Sequence, residues 1–213
     1  MTEPEISDLA LIGDTRTAAL STAAGSIDWM CAPRFDSEPI FGKLVGGRNS
    51  GSFSVTVDDV VETRRGYRGN TAVLETEIRA REGTGTLVEG MVVEVVGDLL
   101  PQTVLVRRLS CTDGLLSARV VFDPKQGLPG KPPRAGRRAG SLICEWGSLA
   151  VTLQTFPEIP VTPGVECAVE VPAGSELTLV MIVADRSPAI LLGPDRVRTL
   201  LQDMEDWWQT WVS

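Results

Sequence analysis

Alternation of apolar and polar residues along short segments is the feature that most constrains how this chain can fold. Runs such as Ser52–Val57 and Leu149–Phe156 carry apolar side chains at every second position, the repeat of a half-buried β-strand. The other segments of this kind are Arg16–Leu20, Ile27–Cys31, Ala72–Arg79, Thr86–Val96, Thr103–Ser110, Leu115–Phe122, Ser141–Trp146, Val165–Val171 and Leu177–Ala184. About ten closely spaced strands predict a mainly-β fold, a large antiparallel β-sandwich of the super-β-sandwich type.

Turn-forming residues separate these segments, as at Ala23–Ser26, Thr112–Gly114 and the pair Asp58 and Asp59. Two stretches break the strand pattern. Ser37–Val45 is predicted to be one short helix, with Ser37 as N-cap and Pro39 in the first turn. Lys125–Arg138 carries five cations between prolines and glycines and is predicted to be a long exposed loop. This loop either contacts an anion or a polysaccharide, or is a mobile, solvated connection.

In the last twenty residues the two-residue alternation gives way to a helical spacing of apolar side chains, which predicts an amphipathic helix over 194–211. Pro194 and Asp195 suit its first turn, and an apolar stripe follows at three- and four-residue spacing: Val197, Leu200, Leu201, Met204, Trp208 and Trp211. The predicted domains are therefore a β-sandwich over 1–193 and a linker helix over 194–213. The apolar, tryptophan-rich end of this helix either folds back onto the sandwich or is covered by a partner. It could also mediate self-association.

Composition excludes several classes of function. The formal charge of −8 argues against nucleic-acid or anionic-membrane binding. With no histidine, the commonest general base and zinc ligand are missing, and no metal-ligand or cofactor motif is visible, so no metal or cofactor is expected. No signal peptide or membrane span is recognisable. The four cysteines are therefore expected to be reduced thiols in a cytoplasmic protein.

Several blocks of residues carry a resemblance. The chain opens with Ile6-Ser-Asp-Leu-Ala-Leu-Ile-Gly-Asp-Thr-Arg-Thr-Ala-Ala-Leu20 and Gly25-Ser-Ile-Asp-Trp-Met-Cys-Ala-Pro-Arg-Phe-Asp-Ser37. Later come Tyr67-Arg-Gly-Asn-Thr-Ala-Val-Leu-Glu-Thr76, Val106-Arg-Arg-Leu-Ser-Cys111 with Gly114, and Trp207-Trp-Gln-Thr-Trp211. In this order they resemble the N-terminal part of bacterial glycoside hydrolase family 15 proteins, which include glucoamylases, glucodextranases and some trehalases. The stretch Glu89-Gly-Met-Val-Val-Glu94 departs from the Asp-Phe-Met-Pro-like segment of that family.

The resemblance implies a β-sandwich joined by a helical linker to an (α/α)6 catalytic barrel, which would begin where this chain stops. In that family the general acid and general base of inverting hydrolysis lie in the barrel, and nothing here resembles their segments. The resemblance thus implies no catalytic residue in this chain. It implies that the intact parent is an inverting O-glycosyl hydrolase, acting on an α-glucan or trehalose, whose barrel is the partner of this domain.

Two sets of residues are candidates for contacts with that partner or with sugar. The densest polar and aromatic cluster is Asp28, Trp29, Arg34, Phe35 and Asp36. It could lie against the barrel at the rim of the sugar pocket, because aromatic faces and charged groups suit carbohydrates. The alternative, which common buried tryptophans and local ion pairs favour, is an architectural role with Trp29 in the core and Arg34 paired to Asp36. The second set is the interface helix, with Met204, Trp207, Trp208 and Trp211.

Three functions follow as hypotheses. The first is a non-catalytic accessory domain that packs against a glycoside hydrolase barrel. The second is an independent carbohydrate-binding module built on the cluster around Trp29. The third is a hydrolase that uses carboxylates of this chain, such as Glu75 and Glu77, which share one strand face; a solvated outer face explains that pair more simply.

Overall fold

A computed structural model describes residues 5–93, 102–188 and 190–213. These described residues form fourteen strands in this order: β1 Leu9–Gly13, β2 Ala18–Thr22, β3 Ser26–Cys31, β4 Pro39–Phe41, β5 Ser52–Val57, β6 Val60–Tyr67, β7 Leu74–Ala80, β8 Gly83–Met91, β9 Thr103–Asp123, β10 Arg134–Arg138, β11 Ser141–Trp146, β12 Leu149–Phe156, β13 Cys167–Pro172 and β14 Glu176–Asp185. Two α-helices accompany them, α1 Lys43–Gly46 and α2 Pro194–Trp211, with 3-10 turns at Ile6–Asp8 and Arg48–Ser50.

All strand pairs are antiparallel, and the strands form two layers that share β9. The first layer has the order β1-β2-β3-β5-β9-β13, with β4 added beside β3. The second has the order β6-β7-β8-β9-β14-β12-β11-β10. The predicted antiparallel β-sandwich is confirmed.

The long strand β9 corrects one prediction. Thr112–Gly114 was expected to be a turn between two strands, but β9 runs through it without interruption. Gly114 has φ of +70°, and the register of β8 shifts between Thr84 and Gly85 beside it. The glycine therefore bends the strand instead of ending it, and the bend carries β9 from the second layer into the first.

Alternate side chains of both layers fill one core between them. Its centre holds three aromatic rings, Phe41, Phe53 and Phe122, whose centroids lie 5.1–6.1 Å apart. Apolar residues of both layers, among them Ile12 and Leu105, are fully buried around them. Each such side chain removed from water contributes roughly 1.5–3 kcal/mol, so this core is what holds the layers together.

Residues 197–204 of α2 pack on the outer face of the second layer. Val197, Leu200, Leu201 and Met204 are buried there against strand residues that include Val88, Val106 and Ile182. Gly90 of β8 permits the close approach, since a Cβ at this position would lie 3.2 Å from Sδ of Met204. The predicted helix is confirmed, and this part of its stripe does fold back onto the sandwich.

Three further expectations were wrong in part. Ser37–Val45 is not one helix: Ile40 and Phe41 are fully buried in β4, and only α1 is helical, because pairing with β3 outweighs the local capping signals. The loop predicted over Lys125–Arg138 ends in strand β10, which pairs with β11. The strand predicted over Thr86–Val96 begins at Gly83, and residues 94–96 lie outside the described residues.

Strands β1, β4, β6 and β10 were not predicted as strands. Strand β6 is an edge strand whose residues are almost all exposed, so its sequence has no apolar face that would reveal it. The five residues of β10 are likewise all exposed. Pairing within the folded sheet decides their structure.

Candidate domain-docking surface

The turn between β1 and β2 is held in place by its own first residue. The carboxylate of Asp14 is fully buried and accepts hydrogen bonds from the backbone N–H groups of Arg16 and Thr17, at 3.0 and 2.8 Å. Thr15 has φ of +70°, a conformation that a threonine keeps only where its surroundings enforce it. Arg16 donates to the carbonyl of Gln102 at 2.8 Å, which anchors the turn to the start of β9.

The loop after β3 presents an exposed aromatic ring beside this turn. Arg34 and Asp36 form a two-pronged ion pair, with N···O distances of 2.9 and 2.8 Å. The backbone N–H of Phe35 donates to the carbonyl of Arg16 at 3.2 Å, which joins the loop to the turn. Phe35 itself is 75% exposed. The loop therefore holds this ring out towards solvent in a fixed place.

Two residues of β6 close the sandwich along the edge of β1. The hydroxyl of Tyr67 accepts a hydrogen bond from the N–H of Leu11 at 3.0 Å and donates to its carbonyl at 2.8 Å. Arg65 donates to the carbonyls of Ser21, at 3.1 Å, and Asp8, at 2.6 Å. These contacts satisfy backbone groups that the edge strand would otherwise expose, and they hold the first layer against the second.

Arg68 connects the end of β6 to the far half of α2. Its guanidinium donates to Glu75 of β7 at 2.7 Å and to Glu205 of α2 at 2.8 Å. Burial disfavours the charge, but hydrogen bonds to Glu205 and Glu75 outweigh it and raise the pKa of Arg68 above its usual value. Because Glu205 precedes Trp208 by less than one helical turn, this contact also fixes where Trp208 lies.

An open pocket of about 300 Å³ forms where the turn, the loop and α2 meet. Its walls are mainly apolar, with Arg16 as the charged group, and include Leu11, Phe35, Ala72 and Trp208. Trp211 continues this surface, because its ring centroid lies 5.7 Å from that of Trp208. We call Leu11, Phe35, Ala72, Trp208 and Trp211 the apolar patch. Leu11 and Trp211 are 53% and 67% exposed, so the patch is a hydrophobic surface of the kind that binds partners.

The three tryptophans at the end of α2 contact one another. The rings of Trp207 and Trp211 are stacked, with centroids 6.2 Å apart, and Trp208 is perpendicular to both. Trp207 and Trp208 are half-buried, whereas Met204 is 1% exposed. Of the predicted interface helix, Met204 therefore belongs to the domain's own core and the three tryptophans remain accessible.

The five residues of the predicted polar and aromatic cluster do not form one site. Asp28 is buried on the inner side of β3, where it accepts hydrogen bonds from Lys43 at 2.9 Å and Ser26 at 2.5 Å. Trp29, the next residue, is half-buried on the other face of the strand. Only Phe35 contributes to the apolar patch. Arg34 and Asp36 bind each other, as the architectural interpretation expects, but Trp29 is not in the core, where that interpretation placed it.

Sequence reasoning missed a buried charge network between the layers. Arg107 of β9 has no exposed surface and donates to Glu89 of β8 at 3.0 Å and to the carbonyls of Phe53 and Gly25, both at 2.7 Å. Glu89 also accepts a hydrogen bond from Ser21 at 3.0 Å. Burial lowers the pKa of Arg107, and the neighbouring carboxylate of Glu89 opposes that shift.

The alternation of apolar and polar residues along β9 already indicated this network. Arg107 occupies the same strand face as Leu105 and Leu109, which are core residues. A charged residue in the middle of an apolar strand face indicates either that the face is wrongly assigned or that the charge has a buried partner. Glu89 lies directly opposite Arg107 in register and is that partner.

Within the described residues, no group of three or more Cys, Asp or Glu side chains is placed to hold a metal ion. In the same parts of the chain, neither α-helix combines the length and the apolarity that crossing a bilayer requires. All four cysteines are free thiols, and burial together with Asp123 raises the pKa of Cys144 to about 12.

Comparison with known families decides the relationship. The sequence profile described as "Trehalase-like, N-terminal" matches residues 2–193. The chain belongs to this family. The elements that build the apolar patch, except α2, all lie inside the matched region of this trehalase-like N-terminal domain.

Curated relatives of this trehalase-like domain are named trehalases. This chain is 35% identical over 81 residues to the trehalases of Mycobacterium tuberculosis and Mycolicibacterium smegmatis. The aligned residues cover 38% of this chain and 12% of each relative. It is 38% identical over 84 residues to Trehalase 1 of Sulfolobus acidocaldarius, covering 39% of this chain and 14% of that relative. The aligned segments thus span only a small part of the relatives' own lengths.

Proposed function

We propose that this trehalase-like domain is a non-catalytic accessory domain of a glycoside hydrolase of family 15. The parent protein would hydrolyse α-glucosidic bonds of trehalose or of an α-glucan in an (α/α)6 barrel, with inversion. The family membership and the names of the relatives support this proposal. We further propose that the parent works in the cytoplasm, which the four free cysteines support.

The apolar patch is the observation that carries the docking part of the proposal. It combines exposed aromatic rings with a pocket of about 300 Å³, and pockets of this kind accept the anchor side chains of a partner. It is built by the sandwich and α2 together, and α2 is the element that would lead into the barrel. We propose that the catalytic barrel of the same chain packs onto this patch.

The experiment compares glucose release from trehalose and maltose oligomers by this chain and by a chain extended through the downstream reading frame. Activity is expected only in the extended chain. In that chain, Phe35→Ser and Trp208→Ser should each lower the apparent Tm by several degrees, because the interface loses an aromatic anchor. Val165→Ser is the matched control, since Val165 is 55% exposed but lies outside the patch. Activity of the short chain would contradict the proposal.

A second candidate function is carbohydrate binding by the domain itself. Phe35 and Trp208 present aromatic surfaces in the same pocket as the cation of Arg16, and stacking together with charged hydrogen bonds is how proteins hold sugars. Calorimetric titration with trehalose and maltose oligomers tests it. Heat that Phe35→Ser removes would favour this function, whereas no heat at millimolar sugar would exclude it.

A further inference from the structure

Positive charge is concentrated at one edge of an acidic protein. Between residues 124 and 144 the sequence has five cations and no carboxylate, although the whole chain carries a formal charge of −8. Three of these cations, Arg134, Arg137 and Arg138, lie in the five-residue strand β10. The segment was expected to be a loop, so its order as a strand gives these charges fixed positions.

Strand β10 forms an open edge of the second layer. Among the described residues, β11 is the only strand that pairs with it, and every residue of β10 is exposed. The opposite edge, β6, is tied to the first layer through Tyr67 and Arg65. Strand β10 therefore offers an unpaired backbone to solvent, the arrangement to which an extended segment can add as a further strand.

The turn between β10 and β11 determines which backbone groups are free. Ala139 and Gly140 form a two-residue turn with φ of +48° and +77°, so the flanking pair Arg138 and Ser141 is a hydrogen-bonded pair. Pairing then alternates, and Ala135 and Arg137 direct their N–H and C=O groups away from β11. An added strand would bond to these two residues.

The side chains give this edge a preference for negative charge. Arg134 and Arg138 lie on the same face of β10; Glu145 of β11 lies opposite Arg134 in register, but no described carboxylate forms an ion pair with either arginine. Arg137 lies on the inner face and donates to the carbonyl of Val161. A second copy of β10 is a poor partner, because antiparallel pairing centred on Gly136 would place Arg134 opposite Arg138 of the other copy.

We propose that β10 is a docking site for an extended acidic protein segment, which adds to the second layer as a strand. Its backbone bonds to Ala135 and Arg137, and carboxylates at alternate positions pair with Arg134 and Arg138. The main-chain hydrogen bonds provide the strand pairing, and the arginines select for acidic segments. This site is independent of the apolar patch and of the function proposed for it.

The test uses this chain and a fluorescein-labelled peptide of seven residues in which Glu and Val alternate. Fluorescence anisotropy at 0.15 M NaCl should show saturable binding. Arg134→Ser combined with Arg138→Ser should weaken it about tenfold, as expected for the loss of two cross-strand charge pairs. Arg48→Ser combined with Arg81→Ser removes the same charge from exposed positions elsewhere and should leave binding unchanged.

Ala135→Pro separates strand addition from simple charge attraction. The N–H of Ala135 points away from β11, so proline can occupy this edge position without breaking the β10–β11 ladder, yet it removes the donor that an added strand needs. Binding should fall about tenfold or more in this variant, which should keep its circular dichroism spectrum. Equal binding by a peptide with a central proline, tighter binding by a single-stranded oligonucleotide, or no binding at all would overturn the proposal.

Discussion

Glu89 and Arg107 show how two single residues can fix the register of two strands. They face each other across β8 and β9 inside the core, where a charge without a partner is strongly unfavourable. A shift of one residue between these strands would separate the charges and leave both buried alone. We therefore expect the pair to act mainly on specificity of pairing, since buried ion pairs add little net stability compared with apolar side chains.

We predict that Arg107→Met lowers the free energy of unfolding by about 3–5 kcal/mol, because it leaves the carboxylate of Glu89 buried without its partner. Urea unfolding followed by tryptophan fluorescence measures the change. Arg79→Met is the matched control: Arg79 also pairs with a glutamate, Glu62, but at an exposed position, and this variant should unfold almost like the parent. Equal midpoints for the two variants would contradict the role assigned to Arg107.

Helix α2 is held to the sandwich in two different ways along its length. Residues 197–204 pack on it through four buried apolar side chains, and Gly90 provides the room for Met204. Its second half is held by Arg68 through Glu205, with Trp208 at the pocket. The first attachment is a core contact, whereas the second is a polar contact, which we expect to open without unfolding of the domain.

We predict that Arg68→Gln releases the tryptophan end of α2 while residues 197–204 stay packed. The loss in stability should be about 0.5–1 kcal/mol, typical of a partly exposed ion pair. The indole N–H signals of Trp207, Trp208 and Trp211 should shift in the NMR spectrum, and those of Trp29 and Trp146 should not. Arg64→Gln is the control, because Arg64 lies in β6, four residues before Arg68, and pairs with the exposed Glu62 instead of with α2. Unmoved indole signals in Arg68→Gln would show that Arg68 does not position the helix.

On the scale of the whole molecule, the apolar patch and the basic edge give the domain two unlike surfaces. The patch lies where the turn after β1, the loop after β3 and α2 meet, and the basic edge is β10, the last strand of the second layer. Hydrophobic surfaces of this type associate when no partner covers them. The isolated domain should therefore associate with itself through the patch.

We predict weak self-association of the isolated domain at concentrations on the order of 0.1 mM, as expected for a small interface. Sedimentation velocity over a concentration series measures it. Trp211→Ser should shift the domain towards monomer, because Trp211 is the most exposed tryptophan of the patch, with 67% of its surface accessible. Trp146→Phe, outside the patch, should not. Monomers at every concentration would show that the tryptophans alone do not form an interface.

Much of the fold follows from the sequence because it depends on local patterns. The two-residue repeat predicts the sandwich, and the three- and four-residue spacing predicts α2 over Pro194–Trp211, as observed. Strands such as β5, β11 and β12 were predicted with their observed bounds. In each of these cases the spacing of apolar residues along the sequence directly reflects the burial of one face of the element.

The tertiary structure decided what depends on partners far apart in the chain. Strands β6 and β10 form because neighbouring strands pair with their backbones. The side-chain pattern of these two segments does not predict this pairing. Asp28 and Phe35, close in sequence, lie in the core and on the surface, whereas Phe35 and Trp208 meet only in the folded domain. The sequence by itself therefore determined the architecture and the family resemblance. The position of the patch, the Arg107 network and the open basic edge depend on long-range contacts, which only the folded chain brings about.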